Sequence, residues 1–186
     1  MQQQDRQTKT SSLLDNGIVL VYGEITNASA QETIAELQYL NTKYPNRPIE
    51  LWINSPGGSV ADALAIIDVI NYVKPIVIGL GMGMVASAAA LILSACSRGH
   101  RMLLPNAEVL IHQPLGGAQG QASEVIAAAK HMQKVKDRVT ALLATNCRQP
   151  IEKVYADTDR DYIMDAEESL AYGIVDSIVS TVAKAK

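Results

Sequence analysis

Ile76-Val77-Ile78-Gly79-Leu80-Gly81-Met82-Gly83-Met84-Val85-Ala86-Ser87-Ala88-Ala89-Ala90-Leu91-Ile92-Leu93-Ser94-Ala95-Cys96 is the stretch on which the fold turns. It runs 21 residues without a charge, long enough for a membrane-spanning helix. Three features oppose that reading. Gly79, Gly81 and Gly83 recur at every second position and weaken any continuous helix. The opening is β-branched and the close is rich in Ala and Leu, so the propensity changes midway. Pro75 opens the run with a strand-like bias. The segment therefore reads as a buried strand over Ile76 to Leu80, a glycine turn, and a buried helix over Ala86 to Ala95.

The same alternation extends in both directions. Upstream, Ile18 to Tyr22 is a short apolar strand. Ser29-x-x-Glu32 is a capping-box signature, followed at helical spacing by Ala30, Ile34, Leu37 and Tyr44 until Pro45 and Pro48. Ile49, Leu51 and Ile53 alternate as a strand, and Ser59-x-x-Asp62 opens a second helix. Downstream, Met102 to Leu104 and Glu108 to His112 read as strands. A long helix is expected from about Ala122 to Asn146 and a short one after Pro150. Asp165-x-x-Glu168 caps another helix, with Gly173 as its natural C-terminal stop, and Ile174 to Val179 closes as a strand. Repeated βα units imply an α/β fold with a mainly parallel sheet covered by helices. No internal repeat or linker divides the chain. One domain is expected over 13–186, preceded by a flexible tail over 1–12.

Composition sets further bounds. The chain has 186 residues, 48% of them hydrophobic, yet only 4% aromatic and without Phe. Its core must come from Ala, Val, Ile and Leu, which favours close helix packing. A net charge of -3 argues against a general nucleic-acid binder. Cys96 and Cys147 form no CxxC pair and no metal-ligand spacing, so a reducing, cytoplasmic setting is expected and no metal site. The Gln-, Thr- and Ser-rich start, Met1 to Ser12, lacks the apolar core of a signal peptide.

Several residues carry chemistry. Ser87 falls at the first turn of a buried helix, near the positive end of the helix dipole and its free N–H groups. Taken alone it reads as a helix cap. The G-x-S-x-G elbow of the α/β-hydrolases is absent. Gly81-x-Gly83-x-x-Ala86 matches a relaxed dinucleotide fingerprint but lacks its acidic partner, since Glu108 begins a strand. Asn54-Ser55-Pro56-Gly57-Gly58-Ser59 links a strand to a helix and exposes N–H groups suited to an oxyanion or a phosphate. His112 ends an apolar strand and suits a pocket rim. His100 reads as solvated loop, and His131 has no second ligand at i+4. In Asp157-Thr158-Asp159-Arg160-Asp161 a functional role requires one buried aspartate to orient an imidazole. No single feature decides. Together they supply a nucleophile, a base, an orienting acid and an oxyanion loop in the order Ser, His, Asp, and triads occur in several chain orders.

These stretches resemble the proteolytic subunit family of the bacterial Clp protease, within the Clp/crotonase superfamily. The resemblance rests on Ile53-Asn54-Ser55-Pro56-Gly57-Gly58-Ser59, on Gly83-Met84-Val85-Ala86-Ser87, and on Leu104-Pro105-Asn106 with Ile111-His112-Gln113-Pro114-Leu115-Gly116-Gly117. It continues in Gln119-Gly120-Gln121-Ala122, Asp157 to Asp161, and Tyr172-Gly173-Ile174-Val175-Asp176. It spans Leu14 to Val179 and implies a Clp/crotonase-type fold of repeated ββα and βα units. A strand-helix handle, about 113–146, would protrude from it, with the strand near Gly117 to Ser123.

The resemblance also implies Ser87 as nucleophile, His112 as general base, Asp161 as orienting acid, and an oxyanion hole from the N–H groups of Gly58 and Ala88. Substrate contacts are implied at Gly57, Gly116, Gly117 and Gln119, and oligomer contacts at Asp159 and Arg160. No cofactor is implied. Family members stack two heptameric rings around a chamber and receive unfolded polypeptide from an AAA+ Clp unfoldase. This chain has no P-loop of its own. Ala88 follows the nucleophile where the family commonly has Met. Trp52 and Met102 stand where members usually carry aromatic residues of the unfoldase-docking pocket, and Met102 is not aromatic. Two alternatives stay open beside an active peptidase: a silent structural subunit of a mixed ring with a paralogous proteolytic subunit, and a coenzyme-A-binding crotonase-type enzyme.

Overall fold

Strand β3 (Val77–Ala86) organises the sheet, and it runs straight through the glycines expected to form a turn. Gly79 pairs with Leu51 on one side and Arg101 on the other, and Gly81 with Ile53 and Leu103. Packing explains why these positions are small. A Cβ on Gly79 would stand 2.8 Å from Cys96 Sγ and from Leu93 Cδ1, and one on Gly81 would stand 2.5 Å from Leu103 Cδ2. The glycines admit a covering helix close to the strand. They do not bend the chain into a phosphate-binding loop.

The computed structural model describes residues 12–179. The tail expected over 1–12 lies, Ser12 apart, outside them. In chain order the elements are β1 (Ile18–Tyr22), α1 (Asn27–Lys43), β2 (Ile49–Ser55), α2 (Val60–Tyr72), β3, α3 (Ala88–Ala95), β4 (Arg101–Leu103), β5 (Glu108–Ile111), α4 (Ala122–Cys147), α5 (Ile151–Asp157), β6 (Tyr162–Met164), α6 (Ala166–Tyr172) and β7 (Ser177–Ile178). The seven strands form one sheet in the order β1-β2-β3-β4-β7, with β5 joined to β3 and β6 joined to β5. All pairs are parallel except β5 with β6. The α/β architecture is therefore as expected.

The layout of β3 positions the site. Its first half pairs with β4 through Gly79 to Gly81, and its second half pairs with β5 through Met84 to Ala86. The ends of β3 and β5 thus lie side by side, beyond the stretch of β3 that pairs with β4. Odd-numbered residues of the central strands, such as Val19, Leu51, Ile53, Val77 and Leu103, are buried under the helices. On the opposite face Leu20, Trp52, Leu80 and Met102 lie in one register row and are only half-buried.

The caps refine the boundaries. Thr26, not Ser29, caps α1. Its side chain accepts from the Ser29 N–H, and the Thr26 N–H donates in return to Ser29 Oγ, so the helix starts one turn earlier than expected. Ser59 caps α2 and Asp165 caps α6 with Glu168, while Gly173 adopts the left-handed stop, all as read from sequence. The last strand shrinks from Ile174–Val179 to Ser177–Ile178. Strand β6 was not anticipated.

The handle differs from expectation in one respect. No strand forms over Gly117 to Ser123: residues 113–119 are irregular, and Ala122 and Ser123 already begin α4. Helix α4 buries Val139, Thr140, Leu143, Ala144 and Cys147 against the body, whereas residues 122–127 are exposed. Its first half stands clear of the core.

One polar lock fastens the far end. Arg101, almost wholly buried, donates to Asp176 from Nε at 2.9 Å and from Nη2 at 2.6 Å, and from Nη1 to the carbonyls of Ser94 and Asn146. It joins β4 to the approach of β7, to α3 and to α4. The guanidinium holds the Asp176 carboxyl down, to about 2. Cys96 and Cys147 are free and buried, and burial pushes both thiols up to about 12. No described helix is long and apolar enough to cross a membrane.

Candidate active site

Ser87 sits between the last residue of β3 and the first of α3. Its φ of 56° and ψ of -120° are unusual for a residue with a side chain. Such a conformation costs on the order of 1–3 kcal/mol and persists only where the surroundings impose it. Here the Ser87 N–H donates to the Leu110 carbonyl of β5 at 2.8 Å, and the helix behind it, Ala88 to Ser94, is buried throughout. Ser87 does occupy the N-cap position of α3, and its carbonyl accepts from the Ala90 N–H, but its side chain makes no capping bond. The hydroxyl turns instead to His112, with Oγ 2.8 Å from Nε2.

His112 follows the last residue of β5, and Asp161 precedes the first residue of β6. The antiparallel ladder pairs Ile111 with Tyr162, so His112 and Asp161 are the next opposed pair. His112 Nδ1 lies 3.0 Å from Asp161 Oδ1. A carboxylate only accepts, so Nδ1 carries the proton and Nε2 is left to accept from the Ser87 hydroxyl. The structure thus brings Ser87, His112 and Asp161 into one hydrogen-bonded chain. Its burial is graded. The His112 side chain is 18% exposed and that of Asp161 is 67% exposed. The aspartate expected to be buried is at the surface of the chain.

The glycine loop lies directly against the Ser87 turn. A Cβ on Gly57, at φ +94°, would come within 2.7 Å of the Ala86 carbonyl oxygen and of Ser87 Cβ. Gly58, at φ +146°, bridges to Ile25, and a Cβ there would meet the Ile25 carbonyl oxygen at 2.2 Å. Only glycine fits these two backbones. Among the described residues no acceptor takes the N–H of Gly58 or of Ala88. Ala88 is the first residue of α3, where N–H groups are free and the helix dipole is positive. A Cβ on Gly57 would also stand 3.1 Å from the Ala88 nitrogen, so the glycine loop lies against the start of α3.

A cleft opens beside Ser87 and His112. Its apolar lining comes from Val60, Ala88, Leu91, Ile111, Val139 and Leu143. Gly116, Gly117 and Gln119 lie outside this lining, exposed on the irregular segment after His112; Gly116 packs over Met132 of α4. Arg160 is 93% exposed and 3.9 Å from Asp159, a weak contact. Gln113, named in the sequence only as part of the motif after His112, is a clamp. Its N–H donates to the Thr158 carbonyl at 2.7 Å and its Nε2 to the Asp159 carbonyl at 3.0 Å.

A family model described as Clp protease matches residues 1–182 of the chain. The chain belongs to the Clp protease family. Its fold is that of a Clp protease subunit, and the family is one of peptidases. Among the described residues no group of three or more His, Cys, Asp and Glu is arranged to hold a metal ion.

Proposed function

We propose that this chain is a serine endopeptidase subunit that cuts unfolded polypeptides into short peptides. Ser87 Oγ attacks a peptide carbonyl while His112 Nε2 takes its proton. Asp161 steadies the imidazolium that forms. The tetrahedral oxyanion rests on the N–H groups of Gly58 and Ala88, at the positive end of α3. Collapse of that intermediate gives an acyl-enzyme on Ser87, and His112 passes its proton to the departing amine. Water then attacks the ester, again through His112, and frees the second product. The apolar cleft beside Ser87 suits an apolar side chain on the acyl side of the cut bond.

The observation that carries this reading is the continuous Ser87–His112–Asp161 chain, at 2.8 Å and 3.0 Å, beside two free backbone donors. It favours an active subunit over a silent ring member, and a peptidase over a coenzyme-A enzyme. Family membership supports assembly as stacked heptameric rings, in the cytoplasm, fed by an ATP-driven Clp unfoldase. The exposed first half of α4 supplies surface for ring contacts, with Asp159 and Arg160 near the triad as candidate contacts. Gly57, Gly116, Gly117 and Gln119 remain candidate substrate contacts.

The test is hydrolysis of a small fluorogenic peptide by the purified chain, read beside its mass in solution. Ser87→Ala should abolish turnover and leave the assembly unchanged. Full turnover by that variant would sink the mechanism. A wild-type ring that is silent until a paralogous subunit is added would instead support the mixed-ring alternative.

A further inference from the structure

Lys136 lies on α4 where the helix passes from its exposed half into the core, and it is 23 residues from Gln113 in sequence. Its Nζ donates to Gln113 Oε1 at 2.9 Å and stands 4.4 Å from the centre of the Tyr155 ring. Tyr155 is itself fixed, donating to Asp137 Oδ1 at 3.0 Å and accepting from Gln133 Nε2 at 2.6 Å. The ammonium is therefore held by a hydrogen bond on one side and by a ring face on the other.

This arrangement has a directional consequence for Gln113. An amide can present either its oxygen or its NH2 to a given neighbour, and an ammonium can only donate. Lys136 thus draws Oε1 toward α4 and turns Nε2 toward the Asp159 carbonyl. With the backbone bond from Gln113 to Thr158, that ties the loop 158–161 down on the residue next to His112. The side chain of Asp161 is largely exposed, so neither burial nor a packed neighbour fixes the acid. We propose that Lys136 is a positioning residue for the peptidase reaction: by setting the Gln113 amide it seats Asp161 against His112. The proposal rests on the reading of Ser87, His112 and Asp161 as a triad.

Three variants of the full chain test it, assayed with a fluorogenic peptide and examined by crystallography. Lys136→Met removes the donor and should lower kcat about a hundredfold with KM nearly unchanged, the scale expected for a displacement of about 1 Å. Lys136→Glu should lower it to the same floor, the loss expected on removing Asp161 itself, since a carboxylate would turn the amide and set Oε1 against the Asp159 carbonyl. Lys136→Arg keeps a donor and should restore most of kcat. In the Lys136→Met crystal structure Asp161 should lie out of hydrogen-bond reach of His112. A retained contact near 3.0 Å, as in the parent chain, or equal kcat losses in the Met and Arg variants, would overturn the proposal. A displaced Asp161 in a protein whose parent neither turns over substrate nor is labelled at Ser87 would uphold the positioning role and refute the peptidase reading instead.

Discussion

The two ends of the Ser87–His112–Asp161 chain are held by different means. At the nucleophile end the backbone is over-determined. Ser87 is fixed by a bond to β5, by a wholly buried helix behind it, and by Gly57 pressed against its Cβ. At the acid end Asp161 is mostly exposed and rests on a short β5–β6 ladder and the Gln113 clamp. A strained nucleophile conformation needs the whole core to maintain it. The acid needs only a few polar bonds, which α4 can strengthen or release. Sensitivity to substitution should follow the same division.

The largest effect is expected at the base. His112→Ala should lower kcat about 10⁴-fold or more, because the nucleophile loses its proton acceptor. Asp161→Ala should cost about 10²-fold, since water can reach Nδ1 at that exposed position and stand in for the carboxylate. Equal losses in the two variants, measured with one peptide under one condition, would break the comparison. Gly57→Ala tests the tight end. It should cut kcat by about 10²- to 10³-fold, the scale of a lost oxyanion donor, while the fold persists. Near-normal activity would show that the glycine loop tolerates displacement.

Smaller effects concern the scaffold. Asp176→Asn leaves the buried Arg101 guanidinium without its counter-charge and should cost about 3 kcal/mol. Asp176 has a depressed pKa in the fold, so its contribution is full above its ordinary value of 3.8 and fades as pH falls toward about 2. The melting difference between parent and variant should therefore close across that interval. A gap that persists at pH 2 would contradict the ion-pair account. The smallest effect is at Glu36, half-buried on α1 beside Glu32, where burial and that neighbour push the carboxyl up to about 7. Folding resists its ionisation, so the protein loses stability as pH rises from 4.5 toward 7. Glu36→Gln should raise stability by about 1 kcal/mol at pH 8, after allowance for its partial exposure, and change nothing at pH 4. Identical shifts at both values would rule out titration as the cause.

Much of this could be read from the residues. An apolar run marked β1, alternation of apolar side chains marked β2, and Asp165 and Gly173 marked both ends of α6, whereas the roles of Ser87, His112 and Asp161 were implied by the family resemblance. The glycines of β3 misled because glycine is ordinarily a turn signal. Their smallness answers to Cys96, Leu93 and Leu103, which are distant in sequence and adjacent only after folding. Strand β6 was hidden because its three residues fall between an acidic loop and a helix cap, too few to show a period. The exposure of Asp161 follows from the loop's position at the sheet margin, and the Lys136–Gln113 bond joins segments that share no local pattern. Both are tertiary facts, invisible to spacing.

The most direct test of the triad is covalent. Treatment with a fluorophosphonate, followed by intact mass and peptide mapping, should give one adduct per chain, on Ser87. Ser87→Ala should remove it and His112→Ala should suppress it. Robust labelling of Ser87 without His112, or an adduct on another residue, would contradict the account.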